Sequence, residues 1–106
     1  MDNFMIIYKI LKALEAAMDL PEFKIDQINN NKLKISYERW ARYLEMMADI
    51  GLVKGVSVYT DIMGETNVDA ENMRITIKGL EYLTENTIMQ KIYKTAKGIK
   101  EVIPGL

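Results

Sequence analysis

The chemistry open to this chain is bounded first by the side chains it lacks. It has no histidine and no cysteine. Without histidine it has no side chain that ordinarily titrates near neutrality, and it loses the commonest metal ligand. Without cysteine it has no thiolate nucleophile, no thiolate zinc site and no disulfide. Ser36 and Ser57 therefore have no imidazole to activate them. Carboxylates remain, but none follows the spacing of a calcium loop. A pair such as Glu81 and Glu85 reads as helix-surface charge, because two catalytic carboxylates would also need a cleft. The expectation is a protein that is not an enzyme, with no metal site and no cofactor.

The chemistry that remains is cationic. Residues 24–42 hold five basic side chains (Lys24, Lys32, Lys34, Arg39, Arg42) against two acidic ones (Asp26, Glu38). Arginine can pair bidentately with guanine, lysine clamps phosphate, and a tyrosine hydroxyl binds phosphate. Lys32, Lys34, Tyr37, Arg39 and Arg42 are thus the candidate contacts to double-stranded DNA. Two features oppose that reading. The whole chain carries 14 basic and 15 acidic residues, which supplies no global attraction to nucleic acid. Asp61, Glu65, Asp69 and Glu71 cluster further along, and phosphate repels them. A protein partner is the alternative to DNA.

These residues need elements to position them. Phe4, Ile7, Leu11, Leu14 and Met18 follow the 3-4 spacing of one helical face, predicting a helix over Asn3–Leu20. Asp2 is placed to cap it, and Pro21 ends it. Met5, Ile6, Ile10, Ala13 and Ala17 widen the stripe, so this helix needs cover on two sides. Asp26 is placed to cap a short helix over 27–31, with Ile28 inward and Asn29, Asn30 and Asn31 ending it. Ser36 is an N-cap, and Ile35 with Trp40 forms a hydrophobic staple. Trp40, Tyr43, Leu44, Met47 and Ala48 form the buried face of the helix that follows, and Gly51 is its C-terminal stop. A short helix, a polar turn and an amphipathic helix make a helix-turn-helix, whose second helix conventionally enters the major groove.

Downstream, Val56 and Val58 alternate with polar residues, as do Met73, Ile75 and Ile77. That period of two predicts a strand pair, with Thr60–Asn72 as a long, floppy loop between them. Thr76 is placed to cap a helix over Ile77–Glu85, with Leu80 and Leu83 inward, and Asn86 breaks it. Thr87 and Gln90 have capping-box spacing and open a last helix over about 87–103. Its stripe is Met89, Ile92, Ala96, Ile99 and Ile103. That stripe has two destinations: the first helix of the same chain, or a second subunit in a homodimer.

The order is that of a winged helix-turn-helix with an additional C-terminal helix: mainly α with a small β-hairpin, hence α+β. Four packed helices without a wing are the competing arrangement. The 106 residues suit one domain, with a core over about 1–86. The eight methionines read as flexible core filling. No basic leader precedes an apolar stretch, and no window approaches the ~20 apolar residues of a membrane span. The expected setting is cytoplasmic, without a membrane partner.

Several runs together resemble the YjcQ family: Ser36-Tyr37-Glu38-Arg39-Trp40, Gly51-Leu52-Val53-Lys54-Gly55-Val56, Ile75-Thr76-Ile77-Lys78-Gly79-Leu80-Glu81-Tyr82-Leu83, Asn86-Thr87 and the Lys/Ile-rich tail. The likeness covers nearly the whole chain in order and spacing. It implies a winged-helix fold and an origin in Gram-positive bacteria, their phages or prophages. It carries over no catalytic or ligand residue. Lys34 departs from the glycine often found in a helix-turn-helix turn. Together these readings lead to a DNA-binding protein, with a phage or prophage transcriptional regulator as the specific form. A winged-helix protein-interaction module is the alternative.

Overall fold

The computed structural model describes residues 3–96. Asp2, Ile99 and Ile103 lie outside the described residues, and so does the side chain of Ala96. The architecture is α+β, as expected, with five helices and two small antiparallel strand pairs among the described residues.

Helix α1 (Asn3–Ala16) is the centre of the core. Ile6, Tyr8, Ile10, Leu11 and Leu14 are almost wholly buried. Two expectations for it are corrected. The α-helix stops at Ala16, and Ala17–Asp19 tightens into a 3-10 turn. Pro21 disfavours helical geometry at the residue before it, and Leu20 is extended (φ −108°, ψ 149°). Met18 then falls out of phase with the buried stripe and is exposed, as is Phe4 at the other end.

The asparagines after Asp26 act differently from expectation. Ile25–Ile28 forms a 3-10 turn, and Asn29 starts rather than ends a helix. Its side chain accepts the Lys32 amide at 2.9 Å, capping α2 (Asn30–Leu33). Lys34 then adopts the left-handed conformation (φ 58°, ψ 44°). Its amide donates to the Asn31 carbonyl, and the Ile35 amide donates to Asn30. Helix α3 (Tyr37–Asp49) ends through the same pattern: Gly51 (φ 83°) donates to Ala48, and Leu52 donates to Met47. Both are Schellman stops, but one puts lysine in the position that favours glycine. At the start of α3, Ser36 accepts the Arg39 amide, as its sequence position implies.

The strand pairing is the main correction. β1 (Val53–Lys54) pairs with β4 (Arg74–Ile75), Val53 opposite Ile75. β2 (Ser57–Thr60) pairs with β3 (Thr66–Asp69), Val58 opposite Val68. The segment expected to be a floppy loop is thus half of a hairpin. Asp61 accepts the amides of Met63 and Glu65, and the Gly64 amide donates to the Asp61 carbonyl. Gly64 sits at φ 82°, completing a three-residue turn with a glycine bulge. Ile77 leaves the strand because Thr76 caps α4 (Ile77–Glu85), accepting the Gly79 amide at 3.1 Å.

Helix α5 (Thr87–Ala96) packs on α1 of its own chain. The contacting face differs from the expected stripe. Met89 packs against the core, but Tyr93 rather than Ile92 continues the face, its ring 5.5 Å from that of Tyr8. Ile92 is 48% exposed. Four-residue spacing aligns Met89 with Tyr93, and the larger ring covers more of α1. The Gln90 side chain donates to the Leu83 carbonyl, joining α5 to the end of α4.

The two Schellman stops give a paired test. Lys34→Gly relieves left-handed strain and is expected to stabilise the fold by up to ~1 kcal/mol. Gly51→Ala introduces it and is expected to cost about 1 kcal/mol or more. Urea unfolding of both variants measures this; equal midpoints would remove strain as the distinguishing factor.

Candidate interaction site

The candidate DNA contacts were expected on α3 and in the turn before it, so the site is built from α3 outward. The first turn of α3 is tied to the hairpin. The Tyr37 hydroxyl accepts the Val68 amide at 3.1 Å, and Thr66 donates its hydroxyl to the Glu38 carboxylate at 2.8 Å. Tyr37 also lies against Trp40, ring centroids 5.5 Å apart. Trp40 is buried and donates its indole N–H to the Ile28 carbonyl at 2.9 Å. That bond fixes α3 against the segment leading into α2.

The next turn of α3 is tied to α1. Arg39 Nη1 donates to Asn3 Oδ1 and to the Tyr43 hydroxyl, each at 3.0 Å. Its guanidinium lies 5.9 Å from the centre of the Tyr43 ring. Tyr43 in turn donates to Asn3. Arg42 pairs with Glu45 at 3.3 Å, both well exposed, so the pair contributes little stability.

Beside these arginines lies an open groove of about 840 Å³ between the start of α1, α3 and the middle of α4. Phe4, Ile7, Met46, Ile50, Leu52 and Tyr82 supply most of its apolar wall, and two basic (Arg39, Arg42) and two acidic side chains (Glu38, Asp49) also line it. A smaller depression shares Phe4 and Tyr82 and continues toward Ile88 and Met89. Phe4, Met46, Ile50 and Ile88 are all more than half exposed or close to it. Nothing in the sequence marks these groove residues as a site. Each reads alone as an unremarkable apolar position, and they converge from three elements.

The five candidate DNA contacts are only partly brought together. Arg39 and Arg42 share the groove, and Tyr37 faces the hairpin. Lys32 instead lines a separate cavity with Lys9, Lys12, Gln27 and Tyr93. Lys34 is exposed in the left-handed turn. Among the described residues, no three carboxylates gather in a way that would hold a metal ion, and no helix is long and apolar enough to cross a membrane.

The hairpin carries the one acid whose titration is clearly displaced downward among the described residues. Hydrogen bonds from the Asn67 amide, then from the backbone of Glu65 and Met63, hold the Asp61 carboxyl below its ordinary value of 3.8. The ionised form is therefore the one the turn prefers.

These features define a small α+β protein built around an apolar groove and a tightly braced hairpin. The chain belongs to the YjcQ protein family, whose model matches residues 8–102. No curated protein and no solved structure matches it.

A depressed carboxyl contributes stability that is complete above pH 3.8 and is lost as pH falls through the lower folded value. Carboxyl NMR is expected to give Asp61 a midpoint below 3.8, with the Met63 and Glu65 amide signals moving alongside. A midpoint at or above 3.8 would mean that the turn is not held by this carboxylate.

Proposed function

We propose that this chain is a non-catalytic winged-helix module that binds a protein partner through the groove between α1, α3 and α4. Helix, helix-turn-helix pair, hairpin and closing helix follow the winged-helix order, with β2–β3 as the wing. Winged helices serve both DNA and protein recognition, so the site has to carry the choice. The carrying observation is the apolar groove on the face where the reading arginines were expected. Arg39 is already committed to Asn3 and Tyr43, and Arg42 is paired with Glu45. Glu38 at the start of α3 and the acidic wing add repulsion toward phosphate. Exposed apolar surface flanked by charge is instead the usual make-up of a protein-docking face.

DNA binding is the second reading. Its support is Lys32 and Lys34, both exposed beside the helix-turn-helix turn and outside any ion pair found among the described residues. In this version the protein grips backbone rather than bases, and the wing stays off the duplex.

Random-peptide display on the immobilised chain tests the first reading. Enriched peptides are expected to lose at least about ten-fold in affinity on Met46→Asp and Ile50→Asp, a loss of about 1.4 kcal/mol. Peptides that bind these variants as well as the parent would rule the groove out. Duplex DNA of random sequence, titrated at two salt concentrations, tests the second. Steeply salt-dependent binding that disappears in Lys32→Ala, Lys34→Ala would favour DNA, each phosphate contact adding ~0.9 to the logarithmic slope.

A further inference from the structure

The hollow between α1, α2 and α5 differs from the groove in its charge. Its volume is about 520 Å³, and among the described residues Lys9, Lys12 and Lys32 line it with no carboxylate. The groove is lined by two acidic and two basic side chains. A single lysine that lays its stem on apolar surface and keeps its head in water is ordinary. Three lysines from two helices around one hollow are a different case, because like charges gathered there repel until an anion joins them. Glu15 pairs with Lys12 at 2.9 Å. Lys9 and Lys32 have no ion pair and no side-chain hydrogen bond among the described residues, and Lys9 is half-buried.

Contacts within the chain hold the frame of this hollow. Lys9, Lys12, Ala13 and Ala16 fall at 3-4 spacing on one face of α1. Lys32 stands on α2, whose start is capped by Asn29. The Trp40 indole holds the Ile28 carbonyl and so fixes the segment in front of α2. Tyr93 comes from α5, its ring packed on Tyr8. Ala13, Ile28 and Leu33 supply apolar lining, and Gln27 adds an amide. Apolar lining with a few polar groups is the make-up of a small-molecule site, for which volumes of roughly 300–1,000 Å³ are usual. Walls of one charge sign also raise the local concentration of ligands of the other sign.

We propose that this hollow binds a small phosphate monoester with an apolar body. Lys9 and Lys32 take the phosphate oxygens, and Ala13, Ile28 and Leu33 receive the apolar part. A monoester loses its second proton at a pKa of about 6, so near neutral pH it is close to a dianion. It then matches the two unpaired lysines charge for charge, where a carboxylate would leave one of them unmet. Charge-assisted hydrogen bonds of this kind are the stronger class. The phosphates of a duplex sit on a rigid rod, which reaches the exposed Lys32 but not the half-buried Lys9. The hollow lies apart from the groove, so this site stands whether or not the groove docks a protein.

Amide NMR titrations of the full chain with phenyl phosphate, inorganic phosphate and benzyl alcohol test the proposal. Phenyl phosphate is expected to give saturable shifts centred on Lys9, Gln27, Lys32 and Tyr93, and to bind more tightly than inorganic phosphate. Benzyl alcohol is expected to give none. Lys9→Gln and Lys32→Gln are each expected to weaken phenyl phosphate at least about ten-fold. Lys32 is exposed, so its variant keeps the test open should Lys9→Gln fail to fold. Ala16→Glu, at an exposed position of the lining, is expected to abolish binding by adding a carboxylate beside the lysines. Lys34→Gln removes a nearby lysine that is not part of the lining and is expected to leave binding unchanged. An equal loss in Lys34→Gln would reduce the effect to general attraction by a basic surface and overturn the proposal. Failure of phenyl phosphate to saturate at millimolar concentration overturns it, as does equal binding of benzyl alcohol. Random duplex DNA that displaces phenyl phosphate would assign the lysines to a nucleic-acid backbone, which also overturns it.

Discussion

Helix α1 carries apolar side chains around most of its circumference, and keeping that surface from water is the constraint on which the other elements depend. Burial of such side chains is worth roughly 1.5–3 kcal/mol each, and five of them on α1 are almost wholly buried. No single neighbour can cover such a helix. Packing against β4, α4, α5 and the segment around Ile28 covers it from several directions. The cover thins at the N-terminal end, where Phe4 remains exposed. The groove lies there, so the candidate site is the unfinished part of the core.

The second organising feature is how α3 is used on every side. Trp40 binds the Ile28 carbonyl, Arg39 and Tyr43 bind Asn3, and Tyr37 and Glu38 bind β3. Leaving the buried indole N–H unpaired would cost about 1–3 kcal/mol, so the Trp40 bond sets the helix position as well as stabilising it. Two of the side chains expected to read DNA, Tyr37 and Arg39, thus serve as braces between elements. The same bracing holds the hairpin at a defined angle to α3, giving its acidic turn a fixed place on the surface.

Much of the helical framework was legible from local signals. Ser36, Thr76 and Gly51 act through bonds to residues a few positions away, so their roles follow from the neighbouring sequence. The hairpin was less legible because β3 has a single apolar residue, Val68, and offers no alternation to detect. Asp61 and Gly64 are turn-type residues, but they stand in an acidic stretch without apolar alternation on both flanks. Lys34 stands where glycine is common in such turns, and its left-handed backbone gives that departure a physical meaning. The groove was invisible for a different reason: its apolar wall comes from α1, α3, the turn after α3, and α4.

By itself the sequence determined the α+β class, the principal helices and the chemical poverty of a chain without histidine or cysteine. Those properties depend on composition, periodicity and caps acting over a few residues. Tertiary structure alone decided that Arg39 binds Asn3, that Lys32 parts from the arginines, and that Tyr93 rather than Ile92 meets α1. It also decided that exposed apolar residues distant in sequence share one groove. Each of these depends on the relative placement of separate elements, which is set by the competition to cover α1 and which no local pattern encodes.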